Sequence, residues 1–495
     1  MRYISQGKQL SIEAFRSSLD TLSKSNRWVQ LGDNLPWEEI EKVYNSKLNN
    51  RRKGAANKPA RMVVGALIIK HKLNLSDVET ISAIGENPYM QYMLGLSEFT
   101  DTPVFDPSLF VTIRKRLQIE DLNSFTLSLM RVKTSVEVVF TKDEDGDTPA
   151  DKNENQEDTH SASMKIDATC CDAEVRYPTD LDLLYDGSRV INRYIDKLCR
   201  LSKLTAPVTF PMQSRKAYLS VIKNKRKSKS MINTCKEKML AYLYRDINSF
   251  IELVAVHGTD LLDLLKRYEK RTLRAIITMY HQQKDMFTHS VHSCADRIIS
   301  IFQPHIRPIV RGKTKSPTEF GAKIGVSVVN GYTFIDHHSW DAYNESTDME
   351  HQIELYKKRF GSYPGKIYAD KIYMNRVNRG LMKGLGIEAM GKPLGRPPKQ
   401  SSPEQERRMA NSVGERNEVE ATFGTGKRIY RANNIRAKLP ETASCWTGMC
   451  YFVKNLMKFL RGLLWLMFFL RRFCENIMLW GKEKRRTTES YGFAV

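Results

Sequence analysis

The stretch from Gly321 to Asp336 restricts the fold more than any other part of this chain. Ala322, Ile324, Val326 and Val328 alternate with other residues, so an extended strand here has one apolar face. Asn330-Gly331 follows, the dipeptide best suited to the two left-handed positions of a tight hairpin, and Tyr332 to Asp336 reads as the returning strand. A hairpin with one greasy face is not stable alone; it needs more strands and a covering layer of helices.

Two further strands are legible. Ser163 to Thr169 (SMKIDAT) is short and carries Asp167, and Lys366 to Ala369 leads from a Tyr-Pro-Gly turn into Asp370. A helix near Asp348 to Phe360 separates the hairpin from the second of these, and another helix follows around Glu420. This order predicts an α/β fold with a ribonuclease-H-like core, interrupted by a large, mostly helical insertion over about 180–300. Residues 1–135 show apolar residues at helical spacing and predict an all-α N-terminal domain. Within it, Ala60 to Leu73, a turn at Asn74-Leu75-Ser76 and a helix from Asp77 have the outline of a helix-turn-helix, with Arg51, Arg52, Lys53, Lys58 and Arg61 upstream. A third basic helix with Arg114, Lys115 and Arg116 follows. The acidic run TKDEDGDTPADKNENQEDTH cannot bury a core, so 136–162 is expected to be a flexible linker. The core then spans 163–440, and 441–495 forms a basic, apolar helical tail.

Charge narrows the partners. Lys and Arg number 78 against 56 Asp and Glu, a net charge of +22, which favours a polyanion such as nucleic acid. The eight cysteines contain no C-x2-C pair and point to a reducing compartment, the cytoplasm with its nucleoid. The apolar run Leu463 to Leu470 is far shorter than the roughly 20 residues that a bilayer span requires, so no membrane role is expected.

The chemistry is concentrated in the run ERNEVEATFGTGKR. On a helix turning about 100° per residue, Arg416, Glu420 and Lys427 fall on one stripe, whereas Glu418 points away from Glu420. Asp167, Asp370 and Glu420 together offer hard oxygen ligands with no His or Cys beside them, which suits Mg²⁺ or Mn²⁺. Three carboxylates repel one another unless a cation neutralises them, and two such ions would serve phosphoryl transfer.

The chain also resembles the bacterial insertion-sequence DDE transposases of the IS-four/IS-five superfamily over nearly its whole length. NPYMQYMLGL (88–97) and FDPSLFVTIRKRL (105–117) are similar to the InsH-type N-terminal domain. KIDAT (165–169), RYPTDLDLL (176–184), FGAKIGVSVVNGY (320–332), YADKIY (368–373) and LGRPPK (394–399) continue the likeness through the core. The resemblance implies that Asp167, Asp370 and Glu420 are the catalytic, metal-binding triad. The family pattern around the Glu is Y-x2-R-x3-E-x6-K; here Arg416, Glu420 and Lys427 match, but Val413 stands at the Tyr position.

By the same resemblance, a homodimer would hold two DNA ends, cut them at terminal inverted repeats and join the 3′-OH ends to target DNA. Arg416 and Lys427 would grip the backbone near the scissile phosphate, and Gly424 and Gly426 would admit it closely. Lys223, Lys225, Arg226, Lys227 and Lys229 form a basic cluster in the insertion, expected to contact phosphates without reading sequence. The competing readings are a catalytically inactive, transposase-derived DNA-binding protein and a structure-specific nuclease.

Overall fold

The computed structural model describes residues 19, 21–48, 57–142, 163–310, 318–391 and 403–491; within helices, side chains of 135–142, 403–406, 408–411 and 466–491 lie outside this description. Seven helices come first: α1 (Arg27–Asn34), α2 (Trp37–Asn45), α3 (Ala60–Leu73), α4 (Asp77–Glu86), α5 (Pro88–Met93), α6 (Leu109–Arg116) and α7 (Ile119–Lys142). Asn74 ends α3 in the left-handed region (φ 57°), and a reciprocal capping box between Ser76 and Glu79 starts α4. The helix-turn-helix outline is therefore real as a hairpin of helices. Its second helix, α4, exposes Val78, Glu79, Ser82 and Glu86, with no cation among them. Two of the cations around it have partners within the fold. Arg61 donates to the carbonyls of Met93 (3.0 Å) and Tyr92 (3.2 Å), and buried Arg114 forms a two-pronged bond to Asp77. Arg51, Arg52 and Lys53 lie outside the described residues, as does the acidic run from 143 to 162. Helix α7 runs on to Lys142, into the segment that composition assigns to the linker.

Strand β1 (Ser163–Asp172) then enters, followed by a helical excursion: α8 (Asp180–Ser202), α9 (Pro211–Ile222), α10 (Lys229–His257) and α11 (Arg267–Thr288). These helices close around their own apolar core, which includes Leu184, Ile191, Leu243 and Ile276. The chain returns through β2 (Arg307–Val310), β3 (Thr318–Val329) and β4 (Tyr332–Ser339). Asn330 and Gly331 both have positive φ (50° and 77°), as the hairpin required. Helix α12 (Met349–Phe360), β5 (Lys366–Tyr368), α13 (Arg376–Gly384), β6 (Glu388–Met390), α14 (Pro403–Arg428) and α15 (Pro440–Tyr491) complete the chain.

The fold is thus mixed α/β. The strands run in the order β2–β3–β1–β5–β6, with β4 also paired to β3; β1 is antiparallel to β3 and parallel to β5. A second apolar core joins this sheet to the N-terminal helices and to α15 without a break, from Leu67 and Phe125 through Ile166 and Val326 to Phe452. Helix α15 packs along α7, α6, α3 and β4. Among the described residues no helix is long and apolar enough to cross a membrane.

Candidate active site

The parallel pairing of β1 and β5 sets Lys165 against Tyr368. Two residues further along each chain stand Asp167, in the middle of β1, and Asp370, just past the end of β5, so the register brings the two aspartates side by side although only one stands at a strand end. Asp370 turns the chain into a 3-10 turn, Lys371–Tyr373, which it caps by accepting from the Lys371 N–H at 2.6 Å. Asp167 accepts one hydrogen bond, from the Ala168 N–H at 2.8 Å. Burial, followed by the negative charges of Glu345 and Asp370, raises the Asp167 carboxyl to about 6 against the pull of that bond and of Arg416. A half-buried carboxylate so placed, beside the acidic groups Glu345 and Asp370, fits a divalent cation.

Helix α14 lies across β1. Val419, Thr422 and Gly426 form its buried line, and its two flanks carry different charges. On one flank Glu415 and Glu418 both reach Lys165, the former at 2.5 Å. The charge of Glu418 also acts on Lys454 and Lys458 from α15; burial lowers Lys454 to about 8. Glu418 is therefore an internal counter-ion. On the other flank the Arg416 guanidinium sits 3.4 Å from Asp370. Glu420 follows one turn later, roughly 6 Å further along the axis. It is exposed and makes no ion pair among the described residues. Lys427 lies beyond it, near the far end of β1; its charge eases the burial that raises the Cys171 thiol to about 12.

The structure therefore brings Asp167, Asp370 and Arg416 together and places Glu420 and Lys427 on the same flank, with Glu420 not in contact with either aspartate. Val413, at 46 % exposure, also faces outward. Gly426 does not serve a DNA approach: a Cβ there would lie 2.8 Å from the Tyr451 ring, so the glycine lets α14 close on α15. Lys223, Lys225, Arg226, Lys227 and Lys229 are all exposed in the turn from α9 to α10 and at the start of α10, with no acidic partner among the described residues. Trp340 packs edge-on against His305 and His338. The loop with Gly395-Arg396-Pro397 lies outside the described residues.

Two residues near the aspartates were not singled out from the sequence. Glu345 begins the 3-10 turn Glu345–Asp348 and pairs with Lys323 at 2.8 Å; Tyr373 ends the turn after Asp370. For Glu345 no local pattern marks it among fifty-six acids. Tyr373 stands in the YADKIY run, three residues after Asp370, and that proximity was a usable signal. Cys170, Asp172 and Glu319 cluster toward the C-terminal end of β1.

Two parts of the chain are similar to known protein families. Residues 16–116 match a family described as Transposase domain (DUF772), and residues 367–457 match the Transposase DDE domain, which includes Asp370, Arg416, Glu420 and Lys427. Over 186 residues the chain is 26 % identical to an uncharacterized protein, ORF8 in the nfe locus of Rhizobium meliloti, covering 37 % of this chain and 81 % of that one. No solved structure matches. The two transposase-domain matches lie on either side of the helical insertion and together cover less than half of the chain.

Proposed function

We propose that the chain binds the terminal inverted repeats of an insertion sequence of the IS-four/IS-five superfamily, cuts them, and joins the 3′ ends to target DNA as a homodimer. The observation that carries this reading is the register that sets Asp167 beside Asp370, with Arg416 of α14 reaching over to Asp370. The strand order around β1 supports a ribonuclease-H-like core, and the 16–116 match is consistent with an InsH-type N-terminal region.

Asp167, Asp370 and Glu420 would hold Mg²⁺ or Mn²⁺, which would offset the repulsion among three carboxylates. Two such ions, when bound, would supply the Lewis acidity for hydrolysis and for attack by the 3′-OH. Glu420 would complete the site from α14 once DNA is bound, since it now faces solvent. Arg416 and Lys427, one on each side of it, would hold the phosphate backbone. The exposed cations Lys223 to Lys229 would follow flanking DNA, with the salt sensitivity of phosphate contacts. Such work takes place on the nucleoid, in the cytoplasm.

The test uses end-labelled DNA carrying the repeats that flank the gene, with Mg²⁺ or Mn²⁺. Cleavage at the repeat boundary with joined products is expected, and Glu420→Ala should lower both at least a thousandfold while leaving binding intact, the scale of a lost essential group. Cleavage without joining would favour the nuclease, and binding without cleavage in the parent protein would favour a DNA-binding relic.

A further inference from the structure

Beside Asp167 and Asp370 lies a set of polar groups that the three-carboxylate reading leaves unused. The turns Glu345–Asp348 and Lys371–Tyr373 pack together. Asn378 fastens them, its Nδ2 donating to the carbonyls of Ser346 (2.8 Å) and Tyr373 (2.9 Å). From the sheet, Lys323 Nζ lies 2.8 Å from Glu345 Oε1 and donates to the Tyr343 carbonyl at 2.8 Å. Glu345 is thus held in place, with Lys323 its one ion-pair partner among the described residues.

Tyr373 is 0 % exposed, yet its hydroxyl has no hydrogen-bond partner. Burial, then the charges of Glu345 and Asp167, hold that hydroxyl well above the ordinary tyrosine range, so it remains a donor. A buried donor without an acceptor is costly. The charges of Glu345 and Asp167 act on this hydroxyl, and it bonds to neither.

We infer that Glu345 and Tyr373 form the outer wall of the divalent-cation site, an inference that rests on the reading of Asp167 and Asp370 as its ligands. The Tyr373 hydroxyl donates to a water of the ion's hydration shell, and Glu345 accepts from another. Mg²⁺ and Mn²⁺ suit this arrangement, because Mg²⁺ sheds water reluctantly and keeps several waters at protein sites. Partners at this distance orient the ligands and raise affinity without touching the reacting atoms. Both are positioning residues.

The experiment titrates Mn²⁺ into the full chain, follows the free ion by electron paramagnetic resonance, and records melting with and without Mn²⁺. Asp167→Asn should abolish binding. Tyr373→Phe and Glu345→Gln should each weaken it by roughly tenfold. Without Mn²⁺, Tyr373→Phe should melt no lower than the parent, because it deletes an unpartnered hydroxyl and keeps the ring. If Glu345→Gln does not fold, Tyr373→Phe decides alone. Parental affinity in Tyr373→Phe, beside a loss in Asp167→Asn, would overturn the outer wall and spare the aspartates. An equal fall in melting with and without Mn²⁺ would make Tyr373 a packing residue and overturn it too. No Mn²⁺ binding by the parent, or binding indifferent to Asp167→Asn, would bring down the underlying site with it.

Discussion

The insertion and the sheet each withdraw an aspartate from water, one fully and one in part, and they treat it in opposite ways. In the insertion, Asp246 of α10 is fully buried and accepts from Ser188 Oγ (2.9 Å), Asn192 Nδ2 (2.7 Å) and the Phe210 N–H (3.1 Å). On the sheet, Asp167 receives one hydrogen bond, and its nearest acidic neighbours, Glu345 and Asp370, repel it. Burial raises both carboxyls. The insertion answers desolvation with donors, which is what a structural carboxylate needs. The sheet leaves the demand open, which is what a ligand-binding carboxylate needs.

Asparagine at each position separates the two most sharply. Asp246→Asn turns an amide against one of three donors and should cost about 2–3 kcal/mol, several degrees of melting temperature. Asp167→Asn removes a poorly compensated charge and should raise the melting temperature of cation-free protein. Shifts of the same sign would break the contrast.

Acidity sharpens it further. The folded carboxyl of Asp167 lies at about 6 against an ordinary value of 3.8, so the folded state binds a proton more tightly than the unfolded chain. Its contribution to stability is therefore greatest below pH 3.8, declines as pH rises through 6, and amounts to about 3 kcal/mol in all. Affinity for Mn²⁺ should move the other way, climbing up to about tenfold per pH step as Asp167 loses its proton and levelling above pH 6. Calorimetry across this range checks both slopes; a flat Mn²⁺ profile would remove Asp167 from the site.

The smallest effect concerns the two flanks of α14. Glu418 is a part-exposed partner of Lys165 and shares it with Glu415. Glu418→Gln should cost less than about 1 kcal/mol and leave DNA cleavage near parental, in contrast to Glu420→Ala. Loss of cleavage in Glu418→Gln, with melting unchanged, would exchange the roles of the two flanks.

Local patterns carried much of this molecule. The Asn330-Gly331 hairpin, the strands leading to Asp167 and Asp370 and the opposite phases of Glu418 and Glu420 are consequences of spacing alone, and each can be read without coordinates. What spacing did not disclose was which cation meets which anion. Arg61, Arg114 and Arg116 stand among the basic residues around the helix-turn-helix outline, but they bond to Met93, Asp77 and Tyr44, partners 32, 37 and 72 residues away. Gly426 read as a gap for DNA because the tyrosine that fills it, Tyr451, belongs to a different helix. Glu345 and Tyr373 gain meaning only from the fold, which packs two separate turns beside the same strand end.

Helix α15 has a consequence for how the chain is made. His71 meets Trp446 edge-on at 5.0 Å, and Asn455 exchanges hydrogen bonds with Thr333 while also donating to Thr126. The N-terminal helices therefore share a core with the segment that leaves the ribosome nearly four hundred residues later. Contacts so distant in sequence form late, after a large loop has closed. The early helices emerge with their apolar faces uncovered and wait for α15, whereas the insertion, with a core of its own, can settle while synthesis continues.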